Sequence, residues 1–200
     1  MNRTRRVVLA IMACALFLVT ACGKGSASFG HGSWDGNTYS SEFLGIKIQL
    51  GSDWTADRDD SLAMAAGISD MSESRIQTVF DKGGTIMEMY AVGHGGSSIS
   101  ITVQDNDTAE ALSEEEFFSK TVPYLKSDFE ASGFEYSVDK GTVRFLGKDT
   151  DCINLSYAAY KVQAHEIIIP IFKSHYTAII TFSAGDRSGL SALVGMVTAI

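Results

Sequence analysis

An α+β fold, an antiparallel β-sheet flanked by helices in a two-layer or sandwich arrangement, is the class this 200-residue chain predicts. Three observations predict it. Apolar residues alternate with polar ones over several short segments, most cleanly where Ile99, Ile101 and Val103 interleave with Ser100, Thr102 and Gln104. A capped helix signal begins at Ser113, and the chain closes on Leu190, Leu193, Val194 and Val197, the spacing of a second amphipathic helix.

Each element can be justified in order. Ile46, Ile48 and Leu50 alternate with Lys47 and Gln49, a strand with one buried face, and Gly51-Ser52-Asp53 ends it. A short irregular or helical stretch is expected over 59–68. A helix follows over 72–80, with Ile76, Val79 and Phe80 on one side, until Lys82-Gly83-Gly84 breaks the chain. Residues 86–92 and 98–104 form the arms of a hairpin across Gly93-His94-Gly95-Gly96, whose glycines permit the positive φ of a tight turn. Ser113 and Glu116 make an S-x-x-E capping box, and Phe118, Val122, Leu125 and Phe129 continue as one stripe. Pro123 predicts a kink or restart in that helix, and Gly133 its end. Strands are expected over 135–138, 142–147, 152–160, 166–172 and 176–183, the last with Tyr176, Ala178, Ile180 and Phe182 on one face. Pro170 cannot donate to a ladder, so its strand is expected at an edge or bulged.

The N-terminus divides from the rest. Arg3, Arg5 and Arg6 precede an apolar stretch over 7–19 of signal-peptide length, shorter than a comfortable membrane span. Val19-Thr20-Ala21-Cys22 behind it resembles the lipobox of bacterial lipoproteins. The resemblance implies a signal peptide over 1–21, cleavage before Cys22, and a diacylglyceryl group on its sulfur, with acyl chains such as palmitate holding the protein at the extracytoplasmic side of the cell membrane. Residues 22–38 are rich in Gly and Ser and read as a flexible tether, with His31 and Trp34 as isolated side chains in it. The single domain is expected over 39–200.

Charge and cysteine usage narrow the function classes. The leader carries three of the 16 basic residues and none of the 24 acidic ones, so its removal takes the net charge from −8 to −11. Such a domain is disfavoured for nucleic acid and for direct contact with an anionic bilayer, both of which want clustered Lys and Arg. With Cys14 in the leader and Cys22 lipidated, Cys152 stands alone, and no internal disulfide can form. Asp149 and Asp151 beside it would raise the thiol pKa, which favours a small core residue over a nucleophile.

The opening phrase from Tyr39 to Trp54, with Gly45, Ile46, Ile48 and Leu50 between, is similar to the start of PsbP-like domains, where it lays down a strand pair and buries its tryptophan. Ser41 stands where that phrase has Asn, and Gly51 where it has Pro. The resemblance implies a mainly non-catalytic α+β domain. Its members bind a small GTPase or support assembly of a photosynthetic complex.

Tests for chemistry find weak patterns. His94-Gly95-Gly96 could supply oxyanion-hole amides, but no G-x-S-x-G elbow occurs in the chain. The histidines are His31, His94, His165 and His175, no two at helical ligand spacing; His165, His175 and Glu166 could form at most an incomplete zinc set. Asp105, Asp107 and Glu116 fall at positions one, three and twelve of an EF-hand-length loop, yet Ala109 and Glu110 occupy a ligand and a glycine position. No metal or other cofactor is therefore assigned. The expected function is a lipid-anchored, non-enzymatic binding or assembly protein with an unknown protein or small-molecule partner. Its recognition rim is placed at Trp54, Asp57, Asp59 and His94, because loops carry recognition more often than strands. The alternatives are a small envelope hydrolase and a one-domain solute-binding lipoprotein.

Overall fold

The computed structural model describes residues 29–106, 112–159 and 162–200. The expected signal peptide over 1–21, the expected lipidation site Cys22 and residues 23–28 lie outside the described residues. Among the described residues no helix is long and apolar enough to cross a membrane.

The chain is α+β, with two antiparallel sheets flanked by helices. The larger sheet has seven strands in the order β4-β5-β6-β10-β9-β8-β7, formed by Thr55–Ala56 (β4), Thr85–Val92 (β5), Ser98–Asp105 (β6), Glu135–Phe145 (β7), Lys148–Ala159 (β8), Val162–Lys173 (β9) and Tyr176–Ala184 (β10). The smaller has four, in the order β1-β2-β3-β11, from Ser33–Asp35 (β1), Thr38–Ser41 (β2), Ile46–Gln49 (β3) and Val197–Ala199 (β11). The helices are Asp59–Ala66 (α1), Glu73–Phe80 (α2), Glu114–Ser132 (α3) and Arg187–Val194 (α4).

The large sheet separates two cores. On one face, Ile101, Val103, Ile169, Ile180 and Phe182 meet Tyr39, Ile46 and Ile48 of the small sheet, together with apolar residues of α1, α2 and α4. On the other, Ile153, Leu155, Tyr157, Ile168 and Ile179 meet Phe117, Phe118, Leu125 and Phe129 of α3. Alternating side chains serve the two faces, as the pleat requires. Central strands β6 and β10 are buried along nearly their whole length. Ser100, Thr102 and Gln104, which alternation would send to water, are buried with them.

Five departures from the sequence expectations have local causes. The ordered domain begins by Phe29 rather than at residue 39: Phe29 is buried against Phe43, Phe80 and Tyr176, and Trp34 lies in β1, so the tether reading fails for residues 29–38. β7 runs unbroken through Gly141, whose missing Cβ leaves room for the Asn154 side chain; a Cβ there would lie 2.1 Å from Asn154 Nδ2. The hairpin turn comes later, at Leu146-Gly147, both at positive φ, the two-residue geometry that suits strand twist. α3 continues through Pro123 without restarting, because that residue faces solvent, where water can take the carbonyl left unpaired. α4 stops at Val194, and Val197 instead begins β11, paired to β3. Pro170 lies in an interior strand, but the β8 ladder ends at Ile168, which makes position 170 locally an edge.

The remaining helix signals hold. Ser113 Oγ accepts from the Glu116 N–H while Glu116 Oε2 accepts from the Ser113 N–H, at 3.2 and 3.3 Å. Phe129, 1% exposed, fixes the far end of α3 against Tyr157 at a ring distance of 5.2 Å and stacks on Tyr136. Phe129→Ala is expected to cost about 3–5 kcal/mol of unfolding free energy. Urea titration should show a lower midpoint at unchanged slope; a loss under about 1 kcal/mol would mean that α3 does not carry the second core.

Candidate functional site

The residues expected to form a recognition rim are brought only partly together. Trp54 packs beneath Gly93, where an added Cβ would lie 2.6 Å from the indole, so Trp54 adjoins the turn that carries His94. Asp57 is tied to the edge of β5 by its backbone N–H, which donates to the Tyr90 carbonyl at 2.9 Å. Asp59 turns away to His31, its Oδ1 3.3 Å from Nε2. His94-Gly95-Gly96 is a tight turn with its residues outside the core.

His31 belongs to a polar cluster built around the buried Glu88. β5 carries a bulge between Met87 and Met89, and Glu88 is the extra residue in it. A bulge lets neighbouring side chains share a face. Glu88 and Met89 accordingly both point inward, each 0% exposed. The Glu88 carboxylate accepts from the Gly32 N–H at 2.7 Å and the Tyr39 hydroxyl at 2.5 Å on Oε1, with His31 Nδ1 at 2.6 Å from Oε2. Burial works against charge on His31, but the hydrogen bonds and negative charges of Glu88 and Asp59 outweigh it and hold the imidazole above its ordinary pKa. Tyr39 is pushed well up by burial and by the Glu88 charge. Both carboxylate oxygens are matched, and Glu88 itself is fully buried. The cluster locks the segment around Gly32 onto the large sheet.

The more open constellation lies at the other side of the molecule. α4 covers β10 and β9 but leaves the same face of β8 and β7 bare around Ser137, Asp139, Asn154 and Ser156, and the step between them is a cleft of about 300 Å³. Two rows of residues, opposite one another in register, floor it: Ser137, Ser156 and His165, then Asp139, Asn154 and Ile167. Arg187, Leu190 and Ser191 of α4 form the wall. Ser156 Oγ lies 2.7 Å from Nδ1 of His165, whose ring is largely buried. Among the described residues, Ser137, Arg187 and Ser191 have no side-chain hydrogen bond or ion pair. These donors are free to take a ligand.

Behind the cleft, on the opposite face of β9, Glu166 is buried. Burial pushes its carboxyl up to about 7, while hydrogen bonds from Tyr157 and Ser183 pull the other way. Cys152 is buried in the first core, its thiol pushed up to about 11 by burial and by the Asp151 charge, which leaves it protonated and unreactive at neutral pH.

The metal patterns do not assemble. His165 and His175 stand near opposite ends of β9, and Asp105 faces His175 at 3.6 Å. Glu116 is engaged in the cap of α3, and Asp107 lies outside the described residues. No group of three His, Cys, Asp or Glu side chains suited to a metal ion occurs among the described residues.

Sequence reasoning missed Glu88, Ser156 and Arg187, and weighed His165 only as part of an incomplete zinc set, not as the partner of Ser156. One signal was present for Glu88, a lone charge inside the apolar run from Thr85 to Val92. The cleft residues carried none, since they are ordinary strand-surface residues until α4 is placed. No model of a known protein family matches the chain, and no curated protein is similar to it.

Two of the shifted groups, His31 and Glu166, fix the pH dependence near neutrality. His31 titrates higher folded than unfolded, so its contribution is full below about 6.5 and fades as pH rises through the folded value. Glu166, pushed up to about 7, keeps its proton longer in the folded state, and that contribution is likewise full at low pH and lost as pH rises past its folded value. Urea midpoints measured across this range should fall with rising pH, with His31→Gln and Glu166→Gln each flattening the profile. A midpoint that rises through neutrality in the native chain would contradict both assignments.

Proposed function

We propose that the chain is a lipid-anchored, extracytoplasmic, non-catalytic binding protein that holds a small polar ligand in the cleft beside α4. The relation between chain entry and cleft carries the reading. Phe29, where the described chain begins, packs on Tyr176 at one end of β10, whereas the cleft opens beside His165, the register partner of Ala184 at the other end. Eight residues of strand separate the two ends by about 26 Å. A domain held through Cys22 would present its cleft away from the bilayer.

Two further points support the reading. The net charge of −11 after leader removal keeps the domain off an anionic membrane surface, so the lipid alone makes the attachment. The PsbP-like opening phrase accords with a binding rather than a catalytic role.

Ser156 and His165 raise the hydrolase alternative, because a serine hydroxyl bonded to an imidazole is the core of a nucleophilic site. That mechanism also needs a group to orient the base. His165 Nε2 has no hydrogen-bond partner among the described residues, so the pair serves better as a fixed hydroxyl and ring on a binding surface. Retention of ester hydrolysis by purified protein, abolished in Ser156→Ala, would reverse this preference.

Cys22→Ser should abolish metabolic labelling with a palmitate analogue and release the protein from the membrane fraction. Labelling that survives the substitution would end the anchoring proposal.

A further inference from the structure

We infer that the cleft takes a small zwitterion, an amino acid or short peptide with free ends, its carboxylate on Arg187 and its ammonium group on Asp139. The inference rests on the cleft being the ligand site.

Opposite charges line one cleft without neutralising each other. Arg187 has no ion-pair or hydrogen-bond partner among the described residues, although the chain has 24 acidic residues. Among the described residues Asp139 meets only Lys126, at 4.0 Å, with both side chains about half exposed or more. A contact at that distance and exposure contributes little and yields readily to a ligand. A guanidinium presents a planar fork that matches a carboxylate with two parallel hydrogen bonds. A lone carboxylate matches an ammonium group, which has three donors.

The floor between the charges suits the backbone of such a ligand. Ser137 and Ser156 can donate or accept. Asn154 is held over Gly141, where any larger residue would displace it, and presents an amide that reads peptide-like polarity. Ile167 and Leu190 add apolar surface for a side chain. The volume of about 300 Å³ sits at the small end of ligand cavities, enough for an amino acid or a short peptide.

Other ligand classes fit less well. No Phe, Tyr or Trp lines the cleft to stack a nucleobase, and the His165 ring is largely buried and held by Ser156. A polyanion would meet Asp139 and the domain's negative field, and a simple cation would meet Arg187.

The mature chain, in solution without its lipid, can be titrated calorimetrically with alanine and the dipeptide Ala-Ala, then with N-acetyl-alanine and alaninamide, each of which lacks one end charge. Glucose and inorganic phosphate complete the set. The expected result is saturable binding of alanine or Ala-Ala, weakened roughly tenfold or more by blocking either end, the effect of losing one charged hydrogen-bonded pair. Arg187→Ala should erase the preference for a free carboxylate, and Asp139→Asn the preference for a free ammonium; both residues are exposed, so neither change threatens the fold. Equal binding of blocked and free forms, or binding that both variants retain unchanged, would overturn the inference. Binding of glucose or phosphate, but of neither alanine probe, would also overturn it while leaving the cleft as the ligand site. Failure of every probe to bind would remove the zwitterion, and failure of a broad polar metabolite library as well would remove the cleft reading.

Discussion

The buried carboxylate of Glu88 is the constraint on which the arrangement of layers depends. A charge removed from water is stable only if its oxygens are matched, and here a backbone amide, a tyrosine hydroxyl and an imidazole match them. These partners come from the segment that leads into β1 and from β2, so the requirement that Glu88 be satisfied is also a requirement that the small sheet sit where it does. The bulge in β5 makes this possible. Without the extra residue, strict alternation would place Glu88 and Met89 on opposite faces.

Once the small sheet is fixed, the uneven cover of the large one follows. The small sheet and α1, α2 and α4 occupy one face of the strands from β5 to β9, and α3 occupies the opposite face from β7 to β10. On β7 and β8 the first-core face is covered at Phe145 and Cys152 but left over around Ser137, Asp139, Asn154 and Ser156. A bare sheet face beside a helix is polar because water reaches it, and it is concave because the helix stands above it. Serine, asparagine and aspartate there need no special explanation, whereas an arginine unpaired among the described residues, a serine held on a buried histidine and a glycine reserved for an asparagine amide together do.

How much of this was legible in the sequence depended on whether a pattern was local. The α3 cap, its apolar stripe and the β5–β6 hairpin were readable because their determinants lie within a few residues of each other. β11 was not, since a three-residue strand has no periodicity and exists only through its pairing with β3. The Gly141 break was misread because a glycine in a strand has two meanings, and only the cross-strand Asn154 decides between them. The segment from Phe29 was misread for a similar reason: its Gly-rich composition describes a coil, but Phe29, His31 and Trp34 find partners in Tyr176, Glu88 and Arg58, all outside the segment. The cleft was invisible throughout, because His165 and Ser156 meet through register, and Arg187 through the docking of α4.

The corrected start of the domain also changes what an anchor at Cys22 would imply. A tether reaching to residue 38 would let the domain wander, whereas only six residues separate Cys22 from Phe29. Fully stretched, that link spans no more than about 25 Å. Under the proposed anchoring, the Phe29 end of the domain stays close to the lipid headgroups, while repulsion from an anionic surface decays over about 8 Å at physiological salt. The Phe29 end feels that repulsion and the cleft end, about 26 Å further along β10, does not. The two effects act along the same axis, tension at one end and repulsion beside it, and together they favour the orientation in which the cleft faces outward. A short strap locked by a buried carboxylate positions such a site better than a long flexible leash, because the distance from lipid to ligand is then set by β-strand length rather than by chain entropy.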